Sequence, residues 1–164
     1  MEQEEGIVMA ANKKPRHKPH QARWNGDGIK LKAQPWKMAA VFNPLEAILD
    51  QLEQQGTIDA TPSGVAIFKD AIDGHWYDSS VALMGVVDAY EIHERRTGRT
   101  IDLAALAKLA NKLKYDMPIF SDETRACRAC LLRMKAETVQ MTAGYAKQLI
   151  MDFQLMEELQ KVAA

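Results

Sequence analysis

The C-terminal third of the chain carries apolar positions at helical spacing. Residues 121–162 contain no proline, and Gly144 is their only glycine. Alternating steps of four and three residues place side chains on one face of an α-helix. The stripe defined by these steps consists of Cys127, Leu131, Met134, Thr138, Met141 and Tyr145. The pattern predicts one long helix of about 40 residues, which at 1.5 Å per residue would span on the order of 60 Å.

The stripe changes register near Gly144. After Tyr145 it takes a second consecutive step of four, to Leu149. Such a stutter marks a place where a helix relaxes its supercoiling or passes from one packing partner to another. We expect the helices upstream to be too short to cover the last turns, which would then dock on a second copy of the chain or on another protein. The predicted partner interface consists of Phe153, Leu155, Met156 and Leu159.

Four shorter helices are predicted before the long one. Asn43 and Pro44 supply an N-cap and a proline at the first helical position, and Thr61 and Pro62 repeat this arrangement. A glycine follows each of the first three apolar stretches, as is common at helix C-termini. The predicted helices occupy residues 43–56, 61–74 and 76–98, and a fourth begins at Asp102 and ends before Pro118.

The predicted architecture is all-α. About five helices with short connections are expected to form an antiparallel helical bundle over residues 38–164, with the long C-terminal helix as its strut. Residues 1–37 are predicted to be a basic, mostly disordered arm, because prolines and glycines interrupt them and apolar residues are sparse. Residues 1–8 are interpreted as an extension before a start-like Met9 and carry no predicted function.

Charge is divided unevenly between the arm and the body. Residues 13–37 contain eight Lys or Arg and the single acid Asp27, a net charge of +7, although the whole chain has a net charge of −1. The cations suit a phosphate backbone and the tryptophans suit base stacking, whereas an acidic protein surface and plain solvation are the alternatives. The candidate residues of the arm are Lys13, Lys14, Arg16, Lys18, Arg23, Trp24, Lys30, Lys32 and Trp36.

Two clusters in the body are candidate sites. Cys127 and Cys130 have C-x-x-C spacing, but a redox pair normally follows a strand and a zinc site needs two further ligands. Core packing is therefore the favoured interpretation of the cysteines, and no cofactor is predicted. His75, Trp76 and Tyr77 stand at the start of the predicted third helix. They are interpreted as an aromatic lid on the bundle end, with a surface binding site as the alternative.

Several function classes lack support in the sequence. No nucleotide-binding, nucleophile or paired-carboxylate motif is present, so nothing in the sequence argues for an enzyme. No run of 18 apolar residues predicts a membrane span, and the N-terminus does not resemble a secretory signal. Two cysteines in one helix do not make a disulfide framework. These features predict a soluble protein of a reducing cytoplasm.

Three stretches carry a resemblance to a known group of proteins. The basic opening KKPRHKP, the segment NPLEAIL and the later run TGRTIDLAAL follow one another in an order similar to that of small uncharacterised proteins of bacteriophages and prophages of proteobacteria. The resemblance concerns the arrangement along most of the chain and brings no catalytic residue. It implies a phage accessory role in the host cytoplasm.

The leading hypothesis from the sequence is a non-enzymatic helical interaction protein that binds and inhibits a host protein. A nucleic-acid-handling or defence enzyme is the expected class of target. The first alternative is a nucleic-acid-binding protein that uses the basic arm, with the bundle as a dimerising platform. The second is a metal or redox protein that uses Cys127 and Cys130.

Overall fold

The computed structural model describes residues 26–163. Within this range the chain forms five α-helices and one short antiparallel hairpin. The helices are α1 (Pro35–Gln55), α2 (Ser79–Thr97), α3 (Ala104–Lys114), α4 (Ser121–Thr138) and α5 (Ala143–Ala163), and the strands are β1 (Ile67–Lys69) and β2 (Trp76–Asp78). The prediction of a mostly helical protein of about five helices is confirmed.

One hydrophobic core holds the helices together. Helix α2 packs against α3 and α5, while α4 packs against α1 and α3. The largest fully buried side chains include Phe42, Ile48, Leu83, Leu106 and Met134. Within the described residues, no helix combines the length and the apolar character needed to cross a lipid bilayer.

The predicted single helix over residues 121–162 is two helices. Helix α4 ends at Thr138 and α5 begins at Ala143, so the helix breaks a few residues before the predicted stutter, and Tyr145 already belongs to α5. At the break, the N–H groups of Ala143 and Gly144 donate to the carbonyls of Ile29 and Asp27, both at 2.9 Å. These carbonyls satisfy donors that a helix N-terminus leaves without intrahelical partners. The break is therefore stabilised by a segment more than 100 residues earlier in the chain.

The first helix begins earlier than predicted. Helix α1 starts at Pro35, and Pro44 lies inside it. A proline does stand at the first helical position, as predicted, but that proline is Pro35 and not Pro44. An interior proline costs about 3 kcal/mol because it removes one backbone hydrogen bond. Burial of Phe42 before it and Leu45 after it offsets that cost.

The predicted helix over residues 61–74 is wrong. Residues 61–65 form a turn in which Gly64 has φ +88°, and the strands β1 and β2 follow. The carboxylates of Asp70 and Asp73 accept hydrogen bonds from backbone N–H groups in the connecting loop, at 2.7 and 2.8 Å. Side chains of this kind favour turns over helices. Phe68, at the centre of β1, is the buried residue of the hairpin strands.

The predicted third helix is confirmed at its end and corrected at its start. Gly98 ends α2 in the left-handed conformation, with φ +68°. The helix begins at Ser79 because Asp78 is its N-cap, accepting a hydrogen bond from the N–H of Val81 at 3.1 Å. Asp102, predicted as the N-cap of the fourth helix, instead lies two residues before α3 with φ +63°.

Residues 26–37 belong to the folded body, although the sequence assigned them to the arm. The N–H of Leu31 donates to the carbonyl of Met141 at 2.8 Å, and that of Lys32 donates to Val139 at 3.2 Å. The Leu31 side chain is buried in the core. This segment therefore runs antiparallel along the link between α4 and α5. The rest of the predicted arm, residues 1–25, lies outside the described residues.

A carboxylate joins the start of α4 to α3. Glu123 accepts a hydrogen bond from the backbone N–H of Phe120 at 3.0 Å. It also forms ion pairs with Lys112 at 2.6 Å and with Lys108 at 2.9 Å. These contacts, the one with Lys112 above all, lower the pKa of Glu123 to about 2. Glu123 thus caps one helix and attaches another.

We expect Glu123→Gln to reduce stability in a pH-dependent way. A depressed carboxyl pKa stabilises the fold fully above the ordinary value of 4.5, and this contribution is lost as the pH falls toward 2. The variant should therefore lose about 1 kcal/mol at neutral pH and less near pH 3. Urea unfolding at both pH values measures this difference. The neighbouring exposed Asp122 offers a control, Asp122→Asn, and equal losses for the two variants would contradict the assignment.

Candidate interaction surface

The C-terminal half of α5 extends beyond the core. Residues 154–163, here called the α5 tail, are all exposed, whereas Ala143 and Leu149 earlier in the helix are buried. An isolated helix of about 10 residues is only marginally stable in water, because the free-energy cost of nucleation exceeds the stabilisation from a few hydrogen bonds. A tail of this length gains stability when it packs against another surface.

An apolar stripe runs along one side of the tail and begins one helical turn before it, at Met151. Met151, Leu155 and Leu159 are each 60% exposed and follow one another at steps of four, and Val162 is 83% exposed. Steps of four and three keep these four side chains, here called the tail stripe, on one helical face. The polar residues Gln154, Glu158 and Lys161 occupy an adjacent face. An amphipathic helix with an exposed apolar face is a common form of protein-binding element.

The four predicted interface residues do not share one face of α5. Leu155 and Leu159 belong to the tail stripe, and Met156 is 42% exposed on another side of the helix. Phe153 is half-buried, and a Cβ atom built on Gly85 would lie 3.4 Å from its ring. Phe153 thus packs into the protein's own body and marks the end of the anchored part of α5.

An apolar groove lies beside the anchored part of α5. It has a volume of about 390 Å³ and is formed by α1, α2 and α5. Small residues of α2 and α5, including Ala82, Gly85, Ala89 and Ala146, line part of it. Ile150 is among its exposed lining residues.

A polar cluster centred on the buried His93 fixes the first turns of α5. His93 of α2 lies with Nδ1 2.7 Å from the Tyr145 hydroxyl and Nε2 2.9 Å from Glu137 Oε1. With Glu137 ionised, Nε2–H donates to the carboxylate and Nδ1 accepts from the hydroxyl, which satisfies all three groups. Glu137 also contacts Arg99 at 3.3 Å. The hydrogen bond from His93, followed by the charge of Arg99, lowers the pKa of Glu137.

A second contact sets the rotation of α5 about its axis. Arg96 of α2 forms an ion pair with Asp152, one residue before Phe153. Arg96 lies one helical turn after His93. The polar cluster and this ion pair thus hold α5 along its length up to Phe153, so the direction of the tail stripe is set by the body.

Most residues of the predicted arm site lie outside the described residues. These are Lys13, Lys14, Arg16, Lys18, Arg23 and Trp24. Of the rest, Lys30 Nζ donates to Gln140 Oε1 at 3.2 Å, and Lys32 is exposed. Trp36 is 65% exposed in the first turn of α1.

The cluster of His75, Trp76 and Tyr77 lies at the loop end of the hairpin, where β2 begins. All three side chains are exposed, and Trp76 and Tyr77 belong to β2 rather than to a helix. The Tyr77 hydroxyl donates to Asp73, and His75 lies 3.5 Å from the same carboxylate. These contacts close the hairpin loop on itself.

Cys127 and Cys130 are fully buried free thiols. Cys127 Sγ donates to the carbonyl of Ala105 at 3.3 Å, and Cys130 Sγ donates to that of Asp102 at 3.4 Å. Burial raises the pKa of Cys127 to about 12, which keeps this thiol protonated at neutral pH. Both cysteines attach α4 to the start of α3. Among residues 26–163, no group of three or more His, Cys, Asp or Glu is placed to hold a metal ion.

Sequence patterns identified the tail but not the polar cluster. His93 lies 44 and 52 residues from its two partners, so no local spacing signals their contact. Comparisons with known protein families, with characterised proteins and with solved structures found no match to this chain.

Proposed function

We propose that this chain is a non-catalytic protein-interaction module whose binding element is the α5 tail. The observation that carries the proposal is the tail stripe: four large apolar side chains, at least 60% exposed, of which Leu155, Leu159 and Val162 stand beyond the closed core. Met151 continues the stripe one helical turn before them. Their burial against a partner would supply most of the binding free energy, since apolar area removed from water is worth about 25 cal/mol per Å².

The body holds this element in a defined orientation. Phe153, the Arg96–Asp152 ion pair and the His93 cluster fix the helix that carries the tail. A partner therefore meets a helix whose anchored half is already ordered, which lowers the entropy cost of binding. The polar groups of the His93 cluster are bonded to one another and His93 itself is buried, which suits a structural role.

Photo-crosslinking tests the proposal. A photoreactive residue at position 155 should form adducts with specific proteins of a bacterial lysate, and mass spectrometry identifies them. The matched control carries the same residue at position 154, which is exposed on the polar face. Adding Leu159→Glu should reduce the yield from position 155 at least tenfold. Equal yields from positions 154 and 155, or no adduct from either, would contradict the proposal.

The same substitution should leave the fold intact. Leu159 is 60% exposed, and polar substitutions at exposed sites usually change stability by less than about 0.5 kcal/mol. Urea unfolding of Leu159→Glu measures this change. A much larger loss would mean that the tail stripe stabilises the protein's own fold.

Two finer statements stay predictions. The phage accessory role and the inhibition of a host nucleic-acid-handling or defence enzyme come from the resemblance noted in the sequence. Nucleic-acid binding by the arm also stays a prediction, and its test is a salt series, because phosphate contacts weaken steeply with the logarithm of salt concentration. Identification of the crosslinked protein tests the host target directly.

A further inference from the structure

We propose that the tail stripe pairs with the tail stripe of a second copy of this chain, as two antiparallel helices related by a two-fold axis. This inference rests on the proposed function and names one partner of the same surface. Formation of the pair covers the stripe, so self-association and binding of another protein compete.

The spacing of the stripe is self-complementary in the antiparallel direction. Met151 precedes Leu155 by four residues, and Val162 follows Leu159 by three. When Leu155 faces Leu159 of the second copy, Met151 therefore comes opposite Val162 within one residue. Symmetry repeats both contacts, as required of a two-fold interface. One register thus pairs all eight apolar side chains of the two copies.

The surroundings of the stripe permit this approach. Asp152, on one flank, is held by Arg96 of its own body. Glu158, on the other flank, contacts Lys161 of its own helix at 3.1 Å. A cation therefore accompanies each flanking carboxylate when the two helices meet, which reduces the repulsion between like charges.

The area available indicates a weak, reversible dimer. Each fully buried aliphatic side chain removes about 60–120 Å² of apolar surface from water, so the exposed parts of eight side chains provide roughly 300–600 Å². Because about 57% of a typical interface is apolar, the whole contact covers roughly 500–1,100 Å². This lies in the range of transient complexes, below about 1,200 Å². A transient pair leaves the stripe accessible to a tighter partner.

Disulfide trapping with two single-cysteine variants tests the register. Met151→Cys and Val162→Cys, mixed in equal amounts under mild oxidation, should form a crosslinked dimer at least tenfold more than either variant alone. In the antiparallel register, position 151 of one copy and position 151 of the other are separated by about 11 residues along the helix axis, or roughly 17 Å. This distance is too long for a disulfide. The native thiols of Cys127 and Cys130 are buried. Circular dichroism confirms that both variants, changed at exposed positions, remain folded.

Each outcome has a definite meaning. Preferential crosslinking in the mixture, lost on adding Leu155→Glu to both variants, supports the antiparallel pair. Equal crosslinking of each variant with itself would indicate parallel or random encounters and would overturn it. Absence of crosslinking at every concentration would also overturn it. In either of those cases, adducts from position 155 with another protein would show that the proposed function survives, and their absence that both fail.

Discussion

Replacing His93 with alanine is expected to destabilise the protein by about 3 kcal/mol. The substitution leaves a cavity between α2, α4 and α5, which costs free energy in itself. It also removes one hydrogen bond from the Tyr145 hydroxyl and one from the Glu137 carboxylate, while Glu137 keeps its contact with Arg99. A hydrogen bond to a charged group such as the Glu137 carboxylate contributes about 1.5–3 kcal/mol. Denaturant unfolding followed by circular dichroism measures the loss.

His75 provides the matched control. Its side chain is 77% exposed and lies in the hairpin loop, away from the core. His75→Ala should change the free energy of unfolding by less than about 0.5 kcal/mol. A loss of the same small size for His93→Ala would mean that the polar cluster does not hold α5 to the body.

Replacing Gly144 with alanine is expected to destabilise the protein by about 2 kcal/mol. A Cβ atom at this position would lie 3.0 Å from both the Cβ and the carbonyl oxygen of Asp27. That carbonyl accepts a hydrogen bond from Gly144 N–H, so it cannot retreat without losing the bond. Overpacking of this kind typically costs about 1–3 kcal/mol. The loss should exceed the gain in helix propensity, which is at most about 1 kcal/mol.

Gly28, in the segment whose carbonyls bind the start of α5, provides the control for Gly144. A Cβ atom on Gly28 would meet no atom within 4 Å. Gly28→Ala should therefore leave the unfolding free energy nearly unchanged, whereas Gly144→Ala should lower it. If Gly144→Ala is as stable as the parent protein, residues 26–32 are not packed on the start of α5.

The helical faces could be predicted because their signal is local. Leu83, Val87 and Tyr90 recur at steps of four and three, and all three are buried in α2. The period of the helix alone gives this result, whatever the neighbouring elements are. The exposure of Leu155 and Leu159 was predicted because the helices upstream are too short to cover the last turns.

The sequence misleads where two local signals compete. Thr61 and Pro62 resemble a helix start, but Gly64 turns the chain and the aromatic Phe68 and Tyr77 pair across two strands. Asn43 and Pro44 also resemble a helix start, but α1 has already begun at Pro35 and passes through them. Tertiary packing decides between such signals, and packing is not visible in a short window of sequence.

The break between α4 and α5 depends on distant residues. The double step of four near Tyr145 hinted at a change of partner, but not at a break. The carbonyls of Asp27 and Ile29 accept hydrogen bonds from the first N–H groups of α5. No local sequence pattern predicts a contact between residues so far apart. The His93 cluster escaped prediction for the same reason.

Hydrogen exchange of the full chain tests the central claim most directly. The claim is that α5 belongs to the fold up to Phe153 and to a partner beyond it. In dilute protein, amides of residues 154–163 should exchange rapidly, while those of α4 stay protected. At a concentration above the dissociation constant of the dimer, exchange in the tail should slow and exchange in α4 should not change. Equal protection of the tail and α4 in dilute protein would contradict the account, because the tail would then be part of the closed core.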